Sequence, residues 1–497
     1  MNPLYTPPAI DWLITSPILL ISLGGIVALL LAMFRPKADN SLVIWVSLLS
    51  LLATGLSLGS QLSLPEASTF GDMLYRDRLG LISQLLIVGC TFVVILFSEQ
   101  YLRARRIPFS EFYPLALWST AGALMMVSTK SLLMVFIGLE VLSIALYVMA
   151  GMAKQEHRSE ESAIKYFLLG SFASAWFLLG VAYLFGATGS LSLEAIPGAT
   201  TVTDPMVRGP LLFGFSLLLI GLMFKAALAP FHQWAPDVYQ GAPINVTAFM
   251  ATVSKIAAVV TLMRVLDHAL PLKDFTLPIL TIVAMLTMIV GNVGALAQSD
   301  VKRLMGYSSV ANAGYLLVAI IAHVKAPDQV SIATTLFFLV AYASTTLGLF
   351  AVLTLAAKNG REGTSLADLN GLYHREPMSA ICLAICGFSL IGVPPLAGFW
   401  GKMWVFQDAI IAEQLPLAIV LAITSIVSIG YYLKIIRATW VDEPVGEITT
   451  RTVLPASAKF AVYACTGIVV LLMLLQTPIS KFISGEPESP QVSLTHR

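Results

Sequence analysis

Apolar stretches of about twenty residues, separated by short polar or charged junctions, recur from residue 17 to residue 480. A helix rising 1.5 Å per residue needs roughly 20 such residues to cross the hydrocarbon of a bilayer. The pattern therefore predicts fourteen spans, near 17–34, 41–60, 79–97, 112–129, 132–151, 163–186, 209–238, 241–265, 275–296, 302–322, 330–356, 377–411, 415–435 and 459–480. The seventh and twelfth exceed what a crossing requires, and both contain proline: Pro230 in KAALAPFHQWAP, and Pro394 with Pro395 in IGVPPLAGFWGK. Proline deletes a backbone donor and opens the hydrogen-bond ladder, so both are expected as broken helices whose freed carbonyls bind water or a lysine ammonium.

Broken helices at corresponding places in two halves mark transport sites built from repeats. On that reading 1–497 is one integral all-α polytopic membrane domain with about 14 transmembrane helices. Residues 1–110 hold three peripheral helices, 111–268 a first five-helix repeat (spans four to eight), 269–437 a second (nine to thirteen), and 438–497 the last helix and tail. An odd number of crossings per repeat inverts the second unit. The two halves share little direct sequence similarity, and ordinary proline kinks in a packed bundle are the competing reading.

Composition agrees, since 57% of the residues are hydrophobic, 11% are charged and the mean hydropathy is +0.84, outside the range of soluble domains. The net charge of +1 provides no basic surface for nucleic acid. Without a G-x-G-x-x-G turn, a P-loop or paired C-x-x-C motifs, no cofactor-binding or metal-binding residue is expected. Cys90, Cys382, Cys386 and Cys465 fall in apolar runs and read as packing residues. The start lacks both a basic flank and a small-residue cleavage site, so the first span is expected to be retained.

Lys and Arg gather after odd-numbered spans: Arg35 and Lys37; Arg103, Arg105 and Arg106; Lys154 and Arg158; Lys302 and Arg303; Lys358, Arg361 and Arg375; Lys434, Arg437 and Arg451. Positive loops are retained in the cytoplasm, which puts both termini on the outer face. The loop after the seventh span carries neither Lys nor Arg and breaks the rule.

Four ionisable residues interrupt the apolar runs: Glu140, Lys225, Lys255 and Lys402. Each costs roughly 2.5–3.5 kcal/mol at a helix centre even on lenient insertion scales, so such residues mark ion paths. Counted along their spans, all four approach mid-membrane and could form a row, with protons as the expected cargo. Glu140 with Lys225 alone would also serve as a structural lock. Three lysines cannot all be compensated by one glutamate, so burial favours reversible deprotonation of at least one, as a relay requires. Lys165 and His232 are weaker, accessory candidates. Lys165 also fits a side chain snorkelling to the interface, and His232 a ring satisfying loose backbone near Pro230. Asp237 reads as a turn or helix cap, His268 and His323 as interfacial, and the tryptophans as packing or interface residues.

Several stretches carry a family resemblance: GLEVLSIALYV, EESAIKYFLLGSFASAWFLLG, GLMFKAALAPFHQWAPDVYQGAP, ATVSKIA, GNVGALAQSDVKRLMGYSSVANAGYLL and SLIGVPPLAGFWGK, together covering most of 110–410. In these the chain resembles the antiporter-like membrane subunits of proton-pumping NADH:quinone oxidoreductase, respiratory complex I, and most closely the bacterial subunit N type. The resemblance implies a proton path through Glu140, Lys225, Lys255 and Lys402, with Glu140 and Lys225 as an ion pair and Lys165 as an accessory. It also implies a bacterial inner-membrane location and neighbouring antiporter-like subunits as partners. NAD, flavin, iron–sulfur clusters and quinone are expected on partner subunits, with none in this chain. Many relatives carry His where this chain has Asn312, so a relay step there must use water. A multi-component cation/proton antiporter, a hydrogenase-type complex and a pure scaffold are the other classes, and mid-membrane lysines speak against the scaffold.

Overall fold

The computed structural model describes residues 8–34, 40–107, 110–202, 204–356, 362–443 and 456–484. Arg35, Lys37, Lys358, Arg361 and Arg451, which belong to the charge pattern, lie outside them. Helices occupy all fourteen expected stretches, twelve of them with a single helix long and apolar enough to cross a membrane. The first six are Trp12–Phe34, Ser41–Gln61, Arg78–Ala104, Phe112–Val127, Leu132–Ala150 and His157–Thr188. The seventh is Pro205–Ala226 followed by Trp234–Gly241, and the eighth is Ile244–His268. Lys273–Leu296, Val301–Lys325 and Ala333–Leu353 follow; the twelfth is Pro377–Ile391 plus Ala397–Ile411, and Leu415–Trp440 and Ala456–Leu474 complete the set. The eighth, tenth and eleventh spans are buried nearly throughout and form the core, whereas the first, second and sixth leave broad apolar faces exposed. A short hairpin pairing Ala67–Thr69 with Leu74–Arg76, and a C-terminal helix at Gln476–Ser484, were not legible in the hydropathy pattern.

Both breaks are built alike. Pro205–Ala226 ends at Ala227 in the left-handed region (φ 59°), with Leu228 N donating to Met223 O and Ala227 N to Phe224 O. Pro377–Ile391 ends at Gly392 (φ 93°), with Val393 N donating to Phe388 O and Gly392 N to Ser389 O. Each is a Schellman closure, which stops a helix and turns the chain aside. Gly398 lets the second half-helix return onto the first: a Cβ there would lie 1.8 Å from Ser389 O. The half-helices Pro377–Ile391 and Ala397–Ile411 hold 15 residues each, about 22 Å apiece, so neither crosses the bilayer alone. Since the two broken spans are five apart, they run in opposite directions.

Alternating spans place two charged clusters at opposite ends of the bundle. At one end Glu362 pairs with Lys302, and its Oε1 accepts from Ile244 N at 3.0 Å; Lys302 also donates to Ala242 O at 2.6 Å, and Arg105 pairs with Glu156. The turn after the seventh span, Gly241 to Pro243, is buried beneath these groups. That loop carries no cation of its own, and Lys302 from the tenth span reaches its Ala242 carbonyl. At the other end the Asp77 carboxylate caps the third span, accepting from Gly80 N at 2.7 Å and pairing with the buried Arg264 guanidinium. Burial pushes this carboxyl upward, but the hydrogen bonds and charge of Arg264 outweigh that and hold it below the usual carboxylate range.

The positive-inside rule assigns the Glu362 end to the cytoplasm. Arg105 is buried and Arg106 exposed, so Arg106→Cys is the informative labelling site, and the buried native cysteines give little background. A membrane-impermeant maleimide added outside intact cells is expected to leave Arg106→Cys unlabelled and to react after permeabilisation. Labelling in intact cells would reverse the orientation.

Candidate functional site

The three lysines are buried, and each ammonium rests on oxygens that a break or a neighbouring hydroxyl provides. Lys255 Nζ donates to Ala226 O, the last carbonyl before the first break, at 3.3 Å, and to Ser309 O at 2.7 Å. Lys402 Nζ donates to Leu390 O at 2.8 Å and Ile391 O at 3.0 Å, the last carbonyls before the second. Helix C-termini carry partial negative charge and unpaired carbonyls, so both lysines sit where a cation is favoured and a proton can be held without a carboxylate. The freed carbonyls do bind lysine, as the proline positions suggested.

Lys225 differs. Its ammonium donates to Ser143 Oγ at 2.7 Å and Tyr166 OH at 3.2 Å. The expected ion pair with Glu140 is not formed: among the described residues no contact of ion-pair length joins them, although the charge of Glu140 still acts on Lys225. Ser143 lies three residues along the same helix face as Glu140 and meets the ammonium first. The carboxylate is half-buried, with Oε1 buried and unpartnered. A small cleft lined by Ser143, Tyr147, Ser174 and Lys225 lies between the fifth, sixth and seventh spans.

Neutral polar groups connect these positions. Tyr166 stacks on Trp234 with ring centroids 4.7 Å apart and lies beside Ser254, the residue before Lys255. Trp234 Nε1 donates to Phe224 O at 2.9 Å, so this indole caps the broken helix in addition to packing. Beyond Lys255, Tyr342 OH donates to Ser309 Oγ at 3.1 Å; Ser308 Oγ bonds Tyr432 OH; Asn312 Nδ2 donates to Ser308 O at 2.9 Å. Tyr431 OH then donates to Asn292 Oδ1 at 3.1 Å, Asn292 Nδ2 to Tyr315 OH at 3.0 Å, and Lys402 Nζ lies 5.1 Å from the Tyr315 ring. A chain of hydroxyls and amides thus occupies the stretch around Asn312. A five-residue π-turn, Met250–Ser254, precedes Lys255 in the eighth span. Such turns rotate the following residues relative to a regular helix and are frequent at functional sites.

The accessory candidates separate from this row. Lys165 is part-exposed and ion-paired with Glu161 at 2.6 Å and Asp237 at 2.8 Å. Asp237 also pairs with Arg303 at 2.5 Å, so it carries a compensated charge and is not simply a cap. These residues, with Arg158 and Gln240, line a polar cleft of about 130 Å³ at the Glu362 end. His232 sits in the first break with Nδ1 buried and unpartnered. Among the described residues no cluster of three or more His, Cys, Asp or Glu could hold a metal.

Comparison with known proteins follows the same lines. A family model described as NADH:quinone oxidoreductase/Mrp antiporter, TM, matches residues 129–428. NADH-quinone oxidoreductase subunit N 2 of Roseiflexus castenholzii is 36% identical over 486 residues, 96% of each chain. A chain of respiratory complex I from Thermus thermophilus superposes with a TM-score of 0.78 at 33% identity, covering 93% of this chain and 98% of that one. A chain of the Mrp complex from Dietzia sp. shares the fold, with a TM-score of 0.80 at 20% identity over 95% of this chain and 97% of that one.

Proposed function

The chain belongs to the NADH:quinone oxidoreductase/Mrp antiporter transmembrane family, as a subunit N member, and from that premise we propose that it moves protons along Glu140, Lys225, Lys255 and Lys402, coupled to quinone reduction elsewhere in its complex. The observation that carries this reading is the placement of Lys255 and Lys402 on the open carbonyls of two matching helix breaks. A lysine held by carbonyl dipoles can keep a proton without a carboxylate beside it and can pass that proton on. Two such sites joined by hydroxyls and amides form a path without a carboxylate trap between them. Asn312 cannot take up a proton, so the step from Lys255 to Lys402 runs through Tyr432, Tyr431, Asn292 and Tyr315 with bound water.

Redox chemistry is assigned to partners, and this chain contributes no flavin, iron–sulfur or nucleotide ligand set. Its partners are then neighbouring antiporter-like membrane subunits in the bacterial inner membrane. The chain, affinity-tagged and purified in mild detergent, is expected to bring with it subunits that carry flavin and iron–sulfur spectra and reduce quinone with NADH; stripped to the single chain, it should show neither spectrum. Isolation with cation/proton antiporter subunits and no redox centre would transfer it to the antiporter class.

A further inference from the structure

Beyond Lys402, at the end of the bundle opposite Glu362, three titratable side chains from three different spans converge without a role in the row described above. Asp408 lies six residues after Lys402 on the same half-helix, about 9 Å nearer that end. It is 91% buried, its Oδ2 has no partner, and it neighbours the Thr334 hydroxyl. The charges of Asp408 and His323 act on each other. His323 is buried near the end of the tenth span, the helix that also presents Tyr315 to Lys402. Its Nδ1 lies 2.8 Å from Val330 O and its Nε2 3.4 Å from Asp267 Oδ1. Asp267, on the eighth span, has a side chain 40% exposed, so the series ends at water. Hydropathy assigned His323 to the interface and gave Asp408 no role.

A buried carboxylate with an open oxygen is costly in an apolar bundle unless a proton or water visits it. A packing role would be served by asparagine without that cost. The ring of His323 is oriented for transfer, because a carbonyl only accepts: Val330 O keeps a proton on Nδ1 and leaves Nε2 to exchange protons. We propose that Asp408, His323 and Asp267 form the release path for protons arriving at Lys402. The Lys402 ammonium gives its proton to the Asp408 carboxylate, directly or through water near Thr334, leaving a neutral amine and a carboxylic acid. Asp408 passes the proton to His323 Nε2, forming imidazolium, and Nε2 yields it to the Asp267 carboxylate, which discharges to water. Each group returns to its starting state, and no oxidant or co-reactant is consumed.

The proposal rests on protons reaching Lys402, so the test includes that residue as its reference. Inverted membrane vesicles carrying the assembled complex report proton uptake by acridine-dye quenching alongside NADH oxidation. Asp408→Asn is expected to lower the initial rate of NADH-driven proton uptake by about tenfold or more, the scale of losing a positioned proton-transfer group, and Asp408→Glu is expected to restore most of it. His323→Gln keeps hydrogen bonding to Val330 and Asp267 but cannot titrate, and should fall with Asp408→Asn. The two substitutions are on different helices, so if one blocks assembly the other still decides. Normal pumping in whichever of the two assembles overturns the path, as does Asp408→Glu failing as completely as Asp408→Asn. If Lys402→Ala itself pumps normally, the reading of the whole row fails; if Lys402→Ala stops pumping while Asp408→Asn does not, only the release path does.

Discussion

Lys225→Ala in the assembled complex is expected to cut NADH-driven proton pumping by about tenfold or more, the range seen when a positioned acid–base group is removed, while the subunit remains in the membrane. Its ammonium is buried against Ser143 and Tyr166, two neutral acceptors, so removing it breaks no direct ion pair, and the Glu140 carboxylate stays half-buried as before. The decisive variant is Lys225→Arg. Guanidinium retains the charge and can still pair with Glu140 or the two hydroxyls, but it does not release a proton in a protein. A structural lock predicts that arginine works nearly as well as lysine, and a relay predicts that it fails like alanine. The geometry favours the relay, since a lock would join Lys225 to Glu140 and no such contact is formed. In this structure the lysine faces inward, toward Tyr166 and the Lys255 side of the row, with Glu140 left half-buried at the edge. Near-normal pumping by Lys225→Arg would remove this lysine from the path.

The fourteen spans and both breaks were legible because hydropathy and proline act through local rules: an apolar run of fixed length, and a missing backbone donor. The buried lysines were legible for the same reason, as charge in an apolar run is conspicuous. Their partners were not. Lys255 binds Ala226 and Ser309, 29 and 54 residues away, and which carbonyl an ammonium meets depends on tertiary packing that no single-span pattern encodes. Glu140 and Lys225 were expected to pair on the strength of the family resemblance, yet equal depth fixes only one coordinate, and Ser143 was nearer. Asp408 stands in plain view in FWGKMWVFQDAII, but a carboxylate near the end of a span is unremarkable until packing shows it buried. Glu362 escaped altogether, since it lies in a polar loop where carboxylates are ordinary. Only the fold brings it onto Lys302, whose side chain is fully buried.

That pair leads to the largest stability effect expected in the chain. Glu362 accepts from Ile244 N, bonds Tyr101 OH and pairs with Lys302, so one carboxylate ties the third, eighth and tenth spans together at one end of the bundle. Glu362→Ala leaves Lys302 charged and buried with, among the described residues, Ala242 O as its remaining partner. Breaking a buried pair by deleting one member costs about 3–5 kcal/mol, because the remaining ion keeps its desolvation penalty without compensation. Thermal unfolding of the detergent-solubilised complex should therefore begin at a markedly lower temperature in Glu362→Ala. The double variant Lys302→Met with Glu362→Leu should recover much of that loss despite deleting every charged contact, since apolar side chains of similar size carry no desolvation cost. Recovery separates a charge-burial penalty from loss of specific hydrogen bonds, under which the double variant would be the worse of the two. An unchanged melting profile for Glu362→Ala would show that water reaches Lys302 and that the cluster does not hold the spans together.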